Sequence, residues 1–138
     1  MNKDTLLKYG LGIAVLIVLY IVIKRMFIKP DLTKIKAFSP LLWRKYKDEG
    51  KAAMLLTTKM ADAIAGVIYE SKGKIYDSDS DVFSYIEKNI KAQTQMSFVS
   101  ERFSIRYKTS MSIYMDYLDK ETLRRIADFV KKLPEANI

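Results

Sequence analysis

The sequence predicts an all-α protein, with one N-terminal transmembrane helix followed by a compact bundle of five or six short helices. Three observations carry this. Fifteen residues, 9–23, contain no charge. Beyond them apolar residues recur at steps of three and four, and no segment alternates at period two. Residues that start helices (Ser, Thr, Asp) and stop them (Gly, Pro) punctuate the remainder.

The uncharged segment is bounded by Lys8 on one side and Lys24 and Arg25 on the other. As a helix it rises about 22 Å, short of a hydrocarbon core of ~30 Å. Leu6, Leu7, Met26, Phe27 and Ile28 extend it, because flanking Lys and Arg side chains reach back toward the headgroups. Tyr9, Leu11, Ile13, Leu16, Leu19 and Ile23 are the expected membrane-spanning positions. Tyr9 and Tyr20 lie near its two ends, where amphipathic rings favour the interface. The segment is apolar all round, unlike an amphipathic core helix. A cleaved signal peptide needs small residues after the apolar run, and Lys24-Arg-Met-Phe-Ile-Lys-Pro30 follows instead. Gly10 and Gly12 allow a close neighbour without forming GxxxG, so no dimer seam is indicated, and self-association stays open.

After the span, Ser39-Pro40 reads as an N-cap and first turn, opening a helix from Leu41 to about Glu49 that Gly50 ends. A longer helix is expected over about Lys51–Lys72, with Leu56, Met60, Ile64, Val67 and Ile68 on one stripe and Gly73 after its end. Residues 74–80 read as a loop, and Ser78 with Asp81 has capping-box form. Helices are then expected over about Ser80–Lys91 and, capped by Thr94, over about Gln95–Lys108. In the second of these Met96, Val99, Phe103 and Tyr107 form the apolar line. A short piece covers about Ser110–Leu118. Asp119 caps a last helix, from Lys120 to about Leu133, with Leu123, Ile126, Ala127 and Val130 inward and Pro134 stopping it. The expected organisation is a tail and span in 1–28, a basic juxtamembrane linker in 29–38 and a helical bundle in 39–138.

Composition narrows the chemistry. The 138 residues leave about 110 outside the span, enough for one modest core. There is no His and no Cys. Disulfides, His or Cys metal sites, Cys nucleophiles and His-dependent triads are therefore excluded, and neither a metal nor a cofactor is expected. Lys and Arg number 24 against 16 acids, for a net charge of +8. The excess is concentrated after the span, which by the positive-inside rule places the C-terminal domain on the cytoplasmic side. Lys24, Arg25, Lys29, Lys34, Lys36, Trp43, Arg44 and Lys45 are the candidate contacts with lipid headgroups or a partner. A basic surface also suits nucleic acid, but no recognition motif accompanies it, and a tethered domain meets lipid first.

Two constellations suggest chemistry and fall short of it. Asp77-Ser-Asp-Ser-Asp81 begins like a calcium loop, but the Gly and Glu required at positions six and twelve are Val82 and Lys88. An Asp/Ser turn complementing a helix N-terminus accounts for it. Glu70-Ser71 resembles the Glu-Ser of lytic transglycosylases, but the Gly-Leu-Met-Gln element of those enzymes is missing.

A further pattern runs from Ile68 to Leu133. It comprises Ile68-Tyr-Glu-Ser-Lys-Gly73, the acidic turn 77–81, an apolar helix, Lys91-Ala-Gln-Thr-Gln-Met-Ser-Phe98 leading to Phe103 and Tyr107, and Tyr117-Leu-Asp-Lys-Glu-Thr-Leu123. This half of the chain resembles a small helical, annexin-like module of structural proteins from phages of Flavobacterium and other Bacteroidetes. The Gly loops that hold calcium in annexins are absent, and the span is foreign to annexins. Joined to a span, the resemblance implies a tailless phage with an internal membrane. It further implies a non-enzymatic virion protein linking the bilayer to the capsid shell. The chain would reside in the virion membrane or the bacterial inner membrane, with its partners being lipid and capsid or other virion proteins. The alternatives are a membrane-tethered cell-wall lytic enzyme acting through Glu70 and a membrane-bound nucleic-acid tether.

Overall fold

The structure, a computed structural model, describes residues 3–50, 56–72 and 78–136, with the side chains of 25–27 and 78–80 outside that description. The first helix, α1 (Lys3–Phe27), is longer than the uncharged run, taking in Lys3 to Lys8 and Lys24 to Phe27. Among the described residues six helices follow: α2 (Pro40–Asp48), α3 (Thr58–Ser71), α4 (Ser78–Asn89), α5 (Gln93–Tyr107), α6 (Met111–Tyr114) and α7 (Lys120–Lys131). Single 3-10 turns occupy Leu32–Lys34, Lys36–Phe38 and Met115–Tyr117, and no strand forms among the described residues. The all-α bundle behind a long apolar helix is as the sequence predicts.

The caps explain most boundaries. Ser39 Oγ accepts from the Leu41 N–H at 3.3 Å, with Pro40 in the first turn. Gly50 adopts φ +73° just past α2, a conformation that costs a residue with a Cβ about 1 kcal/mol or more. Asp119 Oδ1 accepts from the Thr122 N–H at 2.7 Å at the head of α7.

Four expectations need correction. The second bundle helix does not run from Lys51: Leu56 and Thr57 are outside it, and Thr57 Oγ1 caps α3 by accepting from the Met60 N–H at 3.2 Å. Residues 51–55, and Gly73 as the residue after α3, lie outside the described residues. Ser78, Asp79 and Ser80 belong to α4 and not to a loop, so Ser78 is the first helical residue. Thr94 does not cap α5. Ala92 holds that position, and Thr94 is two residues inside with its hydroxyl buried and unpartnered among the described residues. Finally, 29–38 is more than a linker. Leu32, Ala37 and Phe38 are buried in the core of the bundle.

Helix α5 is the axis of the head. Every residue from Thr94 to Ser100 is buried, and Phe103 extends the burial by another turn. Helices α2 and α3 pack against α5, and α4 bridges α3 and α7. Into the space between them go Ile64, Ile68, Ile86, Ile90, Met111, Met115, Leu118 and the stripe Leu123, Ile126, Ala127, Val130. No part of α1 contributes to this core.

Candidate functional site

Helix α1 offers 22 residues, Lys3–Lys24, long and apolar enough to cross a membrane, and none of its apolar window is buried. At 1.5 Å per residue it spans about 33 Å, matching a hydrocarbon core of ~30 Å. Fourteen large apolar side chains between Leu6 and Ile23 face outward, Leu11 at 67% exposure and Leu16 at 65%. At ~1.5–3 kcal/mol per side chain, leaving these in water forfeits on the order of 20 kcal/mol. That exceeds the whole stability of a typical domain, ~5–15 kcal/mol. Tyr9, Leu11, Ile13, Leu16, Leu19 and Ile23 all belong to this exposed set.

The basic residues from the end of α1 onward divide into three groups. Lys24 and Lys29 face a cleft of about 860 Å³ between the end of α1 and the outer face of α7. Lys34 lines the same cleft from the first 3-10 turn. Arg124 and Lys131 complete its basic wall from α7, with Ala127 between them. Ile21, Ile28 and Ile35 supply the apolar wall, and Asp31 and Asp128 are its two acids. Lys29 also donates to the carbonyl of Asp116, tying the end of α1 to the turn after α6. Thr33 donates to Asp31 from its hydroxyl and its backbone N–H, and this pair of bonds holds the carboxyl below its ordinary pKa.

The second group binds the tail of the chain. Lys36 Nζ lies 2.9 Å from Glu135 Oε1, and this bond, aided by Lys45 and a hydrogen bond from Tyr46, lowers the Glu135 pKa. The same tail caps α5: Gln93 and Thr94 donate their backbone N–H groups to the carbonyls of Pro134 and Glu135, each at 2.9 Å. Those are the unpaired amides that a capping side chain would otherwise satisfy.

The third group faces α5. Arg44 pairs with Glu101 at 2.9 Å. Trp43 is half-buried, its ring 4.6 Å from that of Phe98. The expected headgroup and partner contacts therefore do not form one collar: Lys24, Lys29 and Lys34 come together, while Trp43 and Arg44 rest on the bundle. Sequence reasoning missed Arg124 and Lys131. Their spacing of seven, with Ala127 and Asp128 between, was the available signal, since it puts all four on one flank of α7.

Farther from α1, Arg102 grips Asp62 with Nε at 2.7 Å and Nη2 at 3.2 Å, and Arg106 stands 3.6 Å from the same carboxylate. The bond to Asp62 raises the Arg102 pKa. Tyr69, Phe103, Tyr107 and Tyr114 form an aromatic group, in which Tyr69 and Tyr107 stack at 3.9 Å between centroids. Burial raises the Tyr114 pKa, and its hydroxyl donates to the Tyr69 carbonyl at 2.7 Å.

Glu70 stands exposed on the last turn of α3, while Ser71 turns inward and donates to the Ile68 carbonyl at 2.8 Å. Of the acidic turn 77–81, only the Asp81 side chain falls within the description, and it is exposed. Among the described residues no three acids gather where they could share a metal ion. Compared with known proteins, the chain matches no family model, no curated protein and no solved structure.

Proposed function

We propose that this is a single-span membrane protein whose helical head, held at the cytoplasmic bilayer surface, acts by binding another protein and not by catalysis. The observation that carries the reading is the division of the chain into a wholly exposed apolar helix and a head that closes its core without it. The charge asymmetry supports the orientation. Lys24, Arg25, Lys29, Lys34 and Lys36 follow the apolar run, against Lys3 and Lys8 before it. The partner is proposed from the resemblance of residues 68–133 to phage structural modules, which would make the head a link between an internal virion membrane and the capsid shell.

The chain has no cysteine, so single-cysteine variants report unambiguously. In intact bacteria, Asn2→Cys is expected to react with an impermeant maleimide, and Asn137→Cys only after lysis. The protein should stay in the membrane pellet through an alkaline carbonate wash. Release by carbonate would refute the anchor, and labelling of Asn137→Cys from outside would refute the orientation.

A further inference from the structure

The cleft between α1 and α7 lies where an α1 immersed in a bilayer would leave the hydrocarbon. It joins two surfaces of different chemistry. Ile21 and Ile28 flank Lys24 on one side of the cleft. Lys24 and Lys34, with Arg124 and Lys131 from α7, line a gap of about 860 Å³, within the ~300–1,000 Å³ range of small-molecule sites. Five cations surround the gap against the carboxylates Asp31 and Asp128. Ala127, buried and short, leaves the floor open between Arg124 and Lys131.

The geometry points to a binding site for the phosphate headgroup of an anionic phospholipid, with an acyl chain lying along Ile21 and Ile28. The inference rests on the membrane reading above and sharpens it. The head then contributes lipid contacts from its last helix, about a hundred residues from α1. The occupant follows from the lining: Ile21, three residues toward the middle of α1 from Lys24, offers apolar contact on the membrane side of the cations, and a phospholipid carries both chemistries. A dissolved phosphate ester offers the same headgroup chemistry without a tail, and Ile21 and Ile28 would give it nothing.

The test uses the full chain in nanodiscs. Association of spin-labelled phosphatidylglycerol is compared with that of phosphatidylcholine. The native protein is expected to prefer the anionic lipid by on the order of ten-fold. Arg124→Gln combined with Lys131→Gln should reduce the preference to about two-fold, whereas Arg124→Lys keeps it and Asp128→Asn increases it. Lys88→Gln with Lys91→Gln, outside the lining of the cleft, should leave it unchanged. Circular dichroism of each variant confirms the fold, and Lys131→Gln alone serves if the double variant is unfolded. An undiminished preference in the α7 variants overturns the site. Competition by dissolved glycerol phosphate as effective as that by lipid overturns the lipid assignment. Loss of the native protein from the disc overturns the membrane reading instead, so the two failures are separable.

Discussion

The hydroxyl of Ser97 sits between the Ser39 carbonyl, to which it donates, and the Trp43 N–H, from which it accepts at 2.8 Å. Those two groups would ordinarily close the first turn of α2 on each other. One turn along α5, Ser100 donates to the Phe38 carbonyl at 2.9 Å. Removing a buried hydroxyl that serves two backbone groups is costly, so Ser97→Ala should lower stability by about 1–3 kcal/mol in a urea melt. Thr94 presents the opposite case. Its buried hydroxyl has no partner among the described residues, so Thr94→Val keeps the shape and removes the unmet group. A gain of about 1 kcal/mol is expected, raising the Tm by roughly 4–8 °C. Neither role was legible in the sequence. Serine and threonine there suggest solvent or caps, and only the approach of residues 38–43 shows which hydroxyls meet main chain. Local caps were easier to read, because Asp119 and Ser39 cap neighbours within three residues.

At the scale of elements, the sequence placed α2, α7 and the core stripe of α7 within a residue or two. Each has a local cap, a clean stripe and a stop. It misplaced the starts of α3 and α5, for different reasons. The apolar period runs unbroken through Leu55, Leu56 and Met60, so periodicity alone hides the cap at Thr57. At α5 the cap is not local at all: the carbonyls of Pro134 and Glu135 do the work some forty residues away. Full burial of Thr94–Ser100 likewise departs from the single stripe expected, because α5 has neighbours on every side. Gly66, in the interior of α3, has only the Tyr107 hydroxyl near an added Cβ, at an ordinary 3.7 Å. Gly66→Ala should therefore stabilise the head by about 0.5–1 kcal/mol, measured by the same melt. The tail clamp has a pH signature. Glu135 titrates below its unfolded-state value, held there by its bond to Lys36, so its contribution is complete above the unfolded pKa and disappears as the pH falls through the folded-state value. Protection of the Gln93 and Thr94 amides, taken relative to the intrinsic exchange rate at each pH, should fall in acid, and Glu135→Gln should abolish most of that dependence. The pair is half-exposed, so the effect on global stability is small.

The whole molecule separates into two solubility problems. Helix α1 buries none of its apolar window, and the head has a closed core that uses Leu32, Ala37 and Phe38 from the segment between them. A chain beginning at Lys29 should therefore fold as a soluble helical protein with one cooperative melt, and one beginning at Ser39 should not. Loss of Phe38 alone typically costs about 3–5 kcal/mol. Circular dichroism and sedimentation of the two truncations would decide this. The sequence announced the split clearly, through an uncharged run next to periodic amphipathic helices. It did not announce where the head begins, because the two 3-10 turns of 32–38 are too short to show a period. The cleft shared by α1 and α7 was equally hidden, since its walls come from opposite ends of the chain.

The stitching of residues 36–39 to Ser97, Ser100 and Glu135 has a mechanical consequence. Tension applied between an anchored α1 and anything gripping the head meets the bond of Lys29 to Asp116 first and then these three cross-links, which fall within four consecutive residues. A head built this way resists being peeled from its tether. Force spectroscopy pulling on residue 29 should find a sharp rupture, weakened most by Ser97→Ala with Ser100→Ala.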